Sequence, residues 1–259
     1  MRIVRYSDGS RTGYGHLEPS AGDPSALVVV PIADPFAGGG PVPAGESAPL
    51  ESVRLLAPAE PSKVLCIGKN YADHVREMGG DVPPARPMLF LKPPTSVVGP
   101  GDDIVRPVDS DQVDYEGELA VVIGRRCAHV PPAEALSYVF GYTCANDVTA
   151  RDHQRADGQW TRAKGHDTFC PLGPWIETEL DPSDLAISTT LDGEPRQSSR
   201  TKLLLHDVPT LLAYMSDAMT LLPGDVVLTG TPAGVGPMLA GQSVTVTIEG
   251  IGALTNPVV

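Results

Sequence analysis

Glu116 and Glu118 stand two residues apart in Val113-Asp114-Tyr115-Glu116-Gly117-Glu118-Leu119-Ala120-Val121-Val122-Ile123, a run whose β-branched content predicts one strand over Asp114 to Ile123. Strand side chains alternate faces, so the two carboxylates point to the same side. Like charges that close repel unless water or a cation lies between them. The pair is therefore either a solvated sheet face or two ligands of a hard cation, for which oxygen donors suit Mg²⁺ or Mn²⁺. Asp147 closes the apolar run Val139 to Asn146 where a helix over Val148 to Arg155 is expected. It is either the cap of that helix or a third ligand. Arg151, Asp152 and Gln154 follow as a polar cluster on the same expected helix.

His74 and Glu77 are three residues apart in a segment of helical character, Asn70 to Met78, and so share a face. Such a pair is a surface contact or a general base, because a carboxylate that accepts from one imidazole nitrogen raises the basicity of the other. The adjoining Gly79-Gly80 and Pro83-Pro84 have the composition of a lid edge, which predicts a segment that is mobile or partly open and closes over a site. Lys164, beside Gly165 in an otherwise apolar neighbourhood, is a surface charge or the support of a developing enolate oxygen. The glycine-rich stretch Thr229-Gly230-Thr231-Pro232-Ala233-Gly234 follows a strand, and its N–H groups and the Thr231 hydroxyl can receive a carboxylate. No Gly-Lys-Ser/Thr follows, so it is not a nucleotide P-loop.

The elements that must hold these residues are mostly strands. Gly and Pro number 27 each, which shortens helices and multiplies turns. Strands are expected at Arg2 to Tyr6, Tyr14 to Leu17, Leu27 to Ile32, Val64 to Ile67, Met88 to Leu91, Asp103 to Arg106, Val139 to Ala145 and Val226 to Thr229, with a terminal hairpin of Ser243 to Glu249 and Ala253 to Pro257. A helix is expected over His206 to Met219, with Leu211, Leu212, Met215 and Met219 as its core stripe. The Gly/Pro-rich stretch Ala33 to Pro49 reads as a connection, which places a small N-terminal β domain at residues 1–60 and a main domain at 61–259. The fold class is mixed and β-rich, α+β.

With 41% hydrophobic and 20% charged residues, the chain is an ordinary globular composition. A formal charge of −13 and the absence of basic runs argue against nucleic acid or an anionic membrane surface as partner. Cys66, Cys127, Cys144 and Cys170 lie at no metal-ligand spacing and read as buried free thiols. Without a signal peptide or an apolar span of membrane length, the expected location is the cytoplasm.

Taken in order, five stretches resemble the fumarylacetoacetate hydrolase family: Gly68-Lys69-Asn70-Tyr71-Ala72-Asp73-His74, Tyr115-Glu116-Gly117-Glu118-Leu119, Asn146-Asp147-Val148-Thr149-Ala150-Arg151-Asp152, Lys164 through Pro174, and Leu222-Pro223-Gly224-Asp225 through Gly230-Thr231-Pro232. They span about residues 60 to 257, and the chain resembles the family's shorter bacterial-type branch. The resemblance implies a β-roll main domain with few helices, assembled as a homodimer. It implies one Mg²⁺ or Mn²⁺ held by Glu116, Glu118 and Asp147, with Lys164 beside it. It also implies that Arg151, Gln154 and Thr231, with Gly230, hold a small 2-oxo or diketo acid, while His74 and Glu77 activate water or move a proton. The expected reaction passes through a metal-stabilised enolate, either by acylpyruvate-type C–C hydrolysis or by decarboxylation. The alternatives are an isomerase of the 2-hydroxyhepta-2,4-diene-1,7-dioate kind and a catalytically silent metal-binding protein. One departure stands out: His166 occupies a place where related sequences usually carry an apolar aromatic.

Overall fold

The computed structural model describes residues 1–38 and 45–259. Residues 39–44 of the expected connection lie outside the described residues. Among the described residues strands dominate, and the five α-helices are short, the longest being Val208–Ala218.

A twelve-stranded sheet forms the frame. Its path runs Ala48–Pro49, Leu27–Ile32, Thr12–Pro19, Arg2–Ser7, Cys170–Glu177, Val139–Asn146, Gly117–Ile123, Val226–Leu228, Val64–Gly68 and Met88–Lys92, with two short strands paired off this path. The N-terminal strands therefore continue the main sheet: Ile3 pairs antiparallel with Ile176. A four-stranded sheet of Glu194–Arg200, Ala186–Leu191, Ser243–Ile248 and Gly252–Pro257 packs against this frame, and a three-stranded one joins Thr149–Ala150, Val113–Tyr115 and Gly236–Pro237.

The central strand Gly117–Ile123 is buried along its whole length. Leu119, Val121 and Ile123 enter one core with Leu211, Leu212, Met215, Val246 and Ile248, while Ala120 and Val122 enter a second core with Cys66, Ala145 and Leu172. Period two thus splits one strand between two cores. The helix stripe is core, as its spacing predicts. The helix itself starts later than expected, with Asp207 as its cap accepting from the Thr210 amide.

Four local expectations are corrected. The strand expected over Asp114 to Ile123 is broken at Glu116, whose amide donates to the Asn146 side chain (2.9 Å) instead of continuing a ladder. The break lets Val113–Tyr115 join the small sheet. The helix expected from Val148 begins at Arg151, because Thr149 and Ala150 first pair with Asp114 and Val113. The first helix covers only Ala72–Glu77, with Asn70 and Tyr71 ahead of it. Asp103 to Arg106 forms no strand beyond a single bridge, Ile104 to Val258.

Three strands between residues 170 and 200 were not foreseen. Cys170–Glu177 is punctuated by Pro171, Gly173 and Pro174, and Glu194–Arg200 is polar throughout, so neither shows the usual apolar signature.

Candidate active site

The break at Glu116 and the start of the central strand put two carboxylates at one end of the frame. Gly117, between them, allows this packing: a β-carbon there would lie 2.2 Å from the Thr189 hydroxyl oxygen. Its amide donates to the Gln197 side chain (3.0 Å), and Gln197 in turn donates to the Thr231 hydroxyl (2.8 Å) and the Pro232 carbonyl (2.7 Å). Gln197 is almost fully buried, so the segment between the two glutamates and the Thr231 loop are held by one amide side chain.

Asp147 comes from the adjacent strand end and does not cap a helix; the helix that follows is preceded by Ala150, with no side-chain cap. Its carboxylate instead accepts from Lys92 (2.6 Å) on one oxygen and from Lys164 (2.7 Å) on the other. Lys164 also donates to Glu116 (2.6 Å). Ligand atoms of Glu116, Glu118 and Asp147 all lie within 4.8 Å of one another, and all three residues are buried. The structure thus brings Asp147, distant in sequence, beside Glu116 and Glu118.

The charges in this cluster do not balance evenly. Burial alone would raise the pKa of Glu116, but Lys164 and then Arg151 outweigh it and hold the carboxyl well below the usual range. For Lys164, burial is likewise outweighed by Asp147 and Glu116, so its pKa is raised and it stays charged. Among the described residues no basic side chain is hydrogen-bonded to Glu118; burial first, then Asp147 and Glu116, push its pKa well up, against the nearby charge of Lys164 and one hydrogen bond from the Gly230 amide (2.6 Å). A buried carboxyl facing two others is what a divalent cation would neutralise, and three hard oxygens are its appropriate donors. On that chemistry the donor set fits Mg²⁺ or Mn²⁺.

Arg151 is buried and held by three acceptors. It donates to Asp114 (2.8 Å), Glu116 (2.5 Å) and Gln154 (3.0 Å), so its role in this structure is to brace the carboxylates. Gly230 and Thr231 are also committed, Gly230 to Glu118 and the Thr231 hydroxyl to the Gly117 carbonyl (2.9 Å).

Glu116, Glu118 and Lys164 border a cavity of about 170 Å³ whose lining also includes Arg151, Gln154, Thr231, Ile67, Lys69, His74, Met78 and Trp160. His74 is buried, and its Nδ1 lies 3.0 Å from Glu77, whose second oxygen accepts from the Gly234 amide (2.9 Å). The segment expected as an open lid is therefore docked, with His74 already on the cavity wall. The helix closes on Gly79, and residues 80–87 form no regular element. His166 lies outside the lining; it contacts His153 (3.1 Å) and packs on Phe169, with its pKa lowered by burial and by His153.

Sequence reasoning missed Lys92, Asp114 and Gln197. Lys92 is 1% exposed and braces Asp147, yet nothing near it in sequence marks a buried cation. A larger apolar groove of about 590 Å³, bordered by Ile3, His16, Val30, Ile32 and Phe140, shares no lining residue with this cavity. The four cysteines are free and buried, and burial raises the thiol pKa of each. No helix among the described residues is long and apolar enough to cross a membrane.

Comparisons with known proteins place this geometry. Residues 63–259 match the family model described as fumarylacetoacetate hydrolase, C-terminal, and residues 1–58 match one described as Rv2993c-like, N-terminal. The structure of a 5-carboxymethyl-2-hydroxymuconate delta-isomerase from Mycobacterium smegmatis is 54% identical and superposes with a TM-score of 0.92, covering 100% of this chain and 99% of that one. A mitochondrial oxaloacetate tautomerase of Rattus norvegicus is 44% identical over 223 residues, 82% of this chain and 71% of the relative. A maleylpyruvate hydrolase from a Sphingobium species, solved with manganese(II) and pyruvate, is 30% identical with a TM-score of 0.79, covering 100% and 99%. With a sheet-dominated fold, a buried carboxylate cluster and a family match across three quarters of its length, the chain belongs to the fumarylacetoacetate hydrolase family of enzymes.

Proposed function

We propose that the protein is a divalent-metal-dependent enzyme that moves a proton at the carbon next to the 2-oxo group of a small 2-oxo carboxylic acid. The observation that carries this reading is that His74, paired with Glu77, lines the same cavity as Glu116 and Glu118 of the three-carboxylate cluster.

Glu116, Glu118 and Asp147 would hold the cation. When bound, it supplies a Lewis acid that polarises the 2-oxo group and lowers the cost of forming an enolate. Lys164, fixed between Glu116 and Asp147, places a second positive charge beside the oxygen that becomes negative. With Nδ1–H donated to Glu77, the Nε2 of His74 is the basic nitrogen and takes the proton from carbon. Glu77 is itself held by the Gly234 amide, so the ring is positioned before substrate arrives. Ile67, Met78 and Trp160 supply apolar wall that excludes bulk water. A cavity of about 170 Å³ suits a compact acid.

Return of the proton to a different atom gives a tautomer or isomer, the reaction class named for the rat and M. smegmatis relatives. C–C hydrolysis is the second reading: the same enolate is the leaving fragment when water adds to an acyl group, and the maleylpyruvate hydrolase relative with its pyruvate favours it. Incubation of 2-oxo acids with the protein and Mg²⁺ or Mn²⁺, with products identified by NMR, tests the proposal. Catalysed interconversion of keto and enol forms is expected. Failure to exchange or consume any 2-oxo acid with either metal would refute it.

A further inference from the structure

The helix Ala72–Glu77 sets His74 in the cavity wall, yet few directional contacts hold it there. His74 and Val75 are its buried residues, and the chain ahead of it is tied by the Tyr71–Leu204 bridge. Among the described residues, its one hydrogen bond to anything outside residues 71–80 runs from the Gly234 amide to Glu77 (2.9 Å). The other Glu77 oxygen meets His74 Nδ1 at 3.0 Å. The direction of the imidazole therefore depends on where the Gly234 amide points.

Tyr115 holds that stretch of chain twice. Its strand, Val113–Tyr115, pairs with Gly236–Pro237, which sets Tyr115 opposite Gly236. Its hydroxyl then reaches past Gly236 and donates to the Gly234 carbonyl (2.9 Å). Neither glycine has room to spare: a β-carbon on Gly236 would lie 3.1 Å from the Tyr115 hydroxyl oxygen, and one on Gly234 only 2.2 Å from the Arg196 carbonyl oxygen. Gly234 has a φ of +103°, open to glycine and strained for other residues. A residue with that much conformational freedom needs an outside contact to fix the direction of its amide, and the Tyr115 hydroxyl supplies one. Tyr115 is itself 2% exposed and clustered with Val148, Phe169 and Met238, so its ring is a firm anchor.

We propose that Tyr115 is a positioning residue for the His74–Glu77 pair. Its hydroxyl holds Gly234, Gly234 holds Glu77, and Glu77 holds the imidazole. Tyr115 does not line the cavity, so it acts through this chain of contacts and not on a substrate. One short segment then both presents Glu116 to the cation and aims the base. This rests on the reading of His74 as the base that moves the proton.

Tyr115→Phe deletes only the hydroxyl. In the Mg²⁺-loaded protein, kcat for deuterium exchange into oxaloacetate should fall roughly 2- to 10-fold, the worth of one hydrogen bond, with KM and Mg²⁺ affinity unchanged. A double-mutant cycle gives the sharper comparison: in a Glu77→Ala background, Tyr115→Phe should cost nothing further, which a general loss of packing would not produce. Amide hydrogen exchange read by mass spectrometry needs no turnover. Peptides covering residues 71–80 should exchange faster in Tyr115→Phe and in Glu77→Ala than in wild type. Gly236→Ala, whose methyl crowds the same hydroxyl, should give the same pattern and serves if Tyr115→Phe does not fold. A loss of kcat as large in the Glu77→Ala background as in wild type would overturn the inference, as would wild-type exchange over residues 71–80 in the folded variants. Faster exchange in those variants, without turnover of any 2-oxo acid by the wild type, would uphold it and sink the proposed reaction instead.

Discussion

Glu118→Gln isolates the one carboxyl of the cluster that, among the described residues, no basic side chain touches. In chelated protein, burial together with Asp147 and Glu116 keeps the Glu118 pKa well above the ordinary range. The unfolded chain gives up that proton near pH 4.3, while the folded protein holds it to higher pH. Over that window the folded state binds more protons, so stability falls as pH rises from the ordinary carboxylate range through the raised pKa. Glutamine can still accept from the Gly230 amide, 2.6 Å away in the parent, but has no proton to lose. Chelated Glu118→Gln should therefore lose less stability than chelated wild type between about pH 5 and 8. Divalent metal reverses the order: at 100 times its Kd it stabilises the folded wild type by about 2.7 kcal/mol. At roughly 2–4 °C per kcal/mol for a domain near this size, Tm should rise by about 5–11 °C. The glutamine variant, with one anionic ligand fewer, should show a much smaller rise. Thermal melts with EDTA and with Mn²⁺ across that pH range read both effects. A metal-induced shift as large in Glu118→Gln as in wild type, or equal pH dependence of the two chelated proteins, would refute the reasoning.

Lys164→Ala removes a cation shared by two buried carboxylates and should cost about 3–5 kcal/mol in chelated protein by denaturant titration. In steady-state kinetics it should lower kcat more than it raises KM. Lys92→Met leaves Asp147 with one ammonium instead of two; it should destabilise the chelated protein and enlarge the metal-induced rise in Tm, which the same melts measure. His74→Ala should reduce turnover by about 10²- to 10⁴-fold and leave metal binding, read by calorimetry, intact.

Glu116, Glu118, Asp147, Lys164 and the His74–Glu77 pair stand out in the sequence as candidates, but local spacing leaves a surface or capping reading open for each, and it is the resemblance of five ordered stretches that joins them into one expected site. The bracing groups do not stand out. Lys92 ends an apolar strand and meets Asp147, 55 residues away, so its burial is a product of sheet order. Gln197 sits in Glu-Pro-Arg-Gln-Ser-Ser-Arg, where composition points to a surface, yet it is buried by hydrogen bonds to two distant segments. The terminal hairpin and the helix stripe were recovered because period and turn residues act locally. The break at Glu116 was hidden: a run of β-branched residues carries no sign that one amide will leave the ladder for Asn146. That break, together with Gly117, lets Glu116 and Glu118 converge.

On the function proposed above, this cluster, loaded with a divalent cation, makes the protein an enolising enzyme for 2-oxo acids. Deuterium incorporation at C3 of oxaloacetate in D2O, followed by NMR against the uncatalysed rate, tests it most directly. The expected exchange requires Mg²⁺ or Mn²⁺, stops with a chelator, returns when metal is restored and is lost in Glu118→Gln. Enzyme-catalysed exchange that persists in the chelated protein, or no acceleration with either metal, would contradict it.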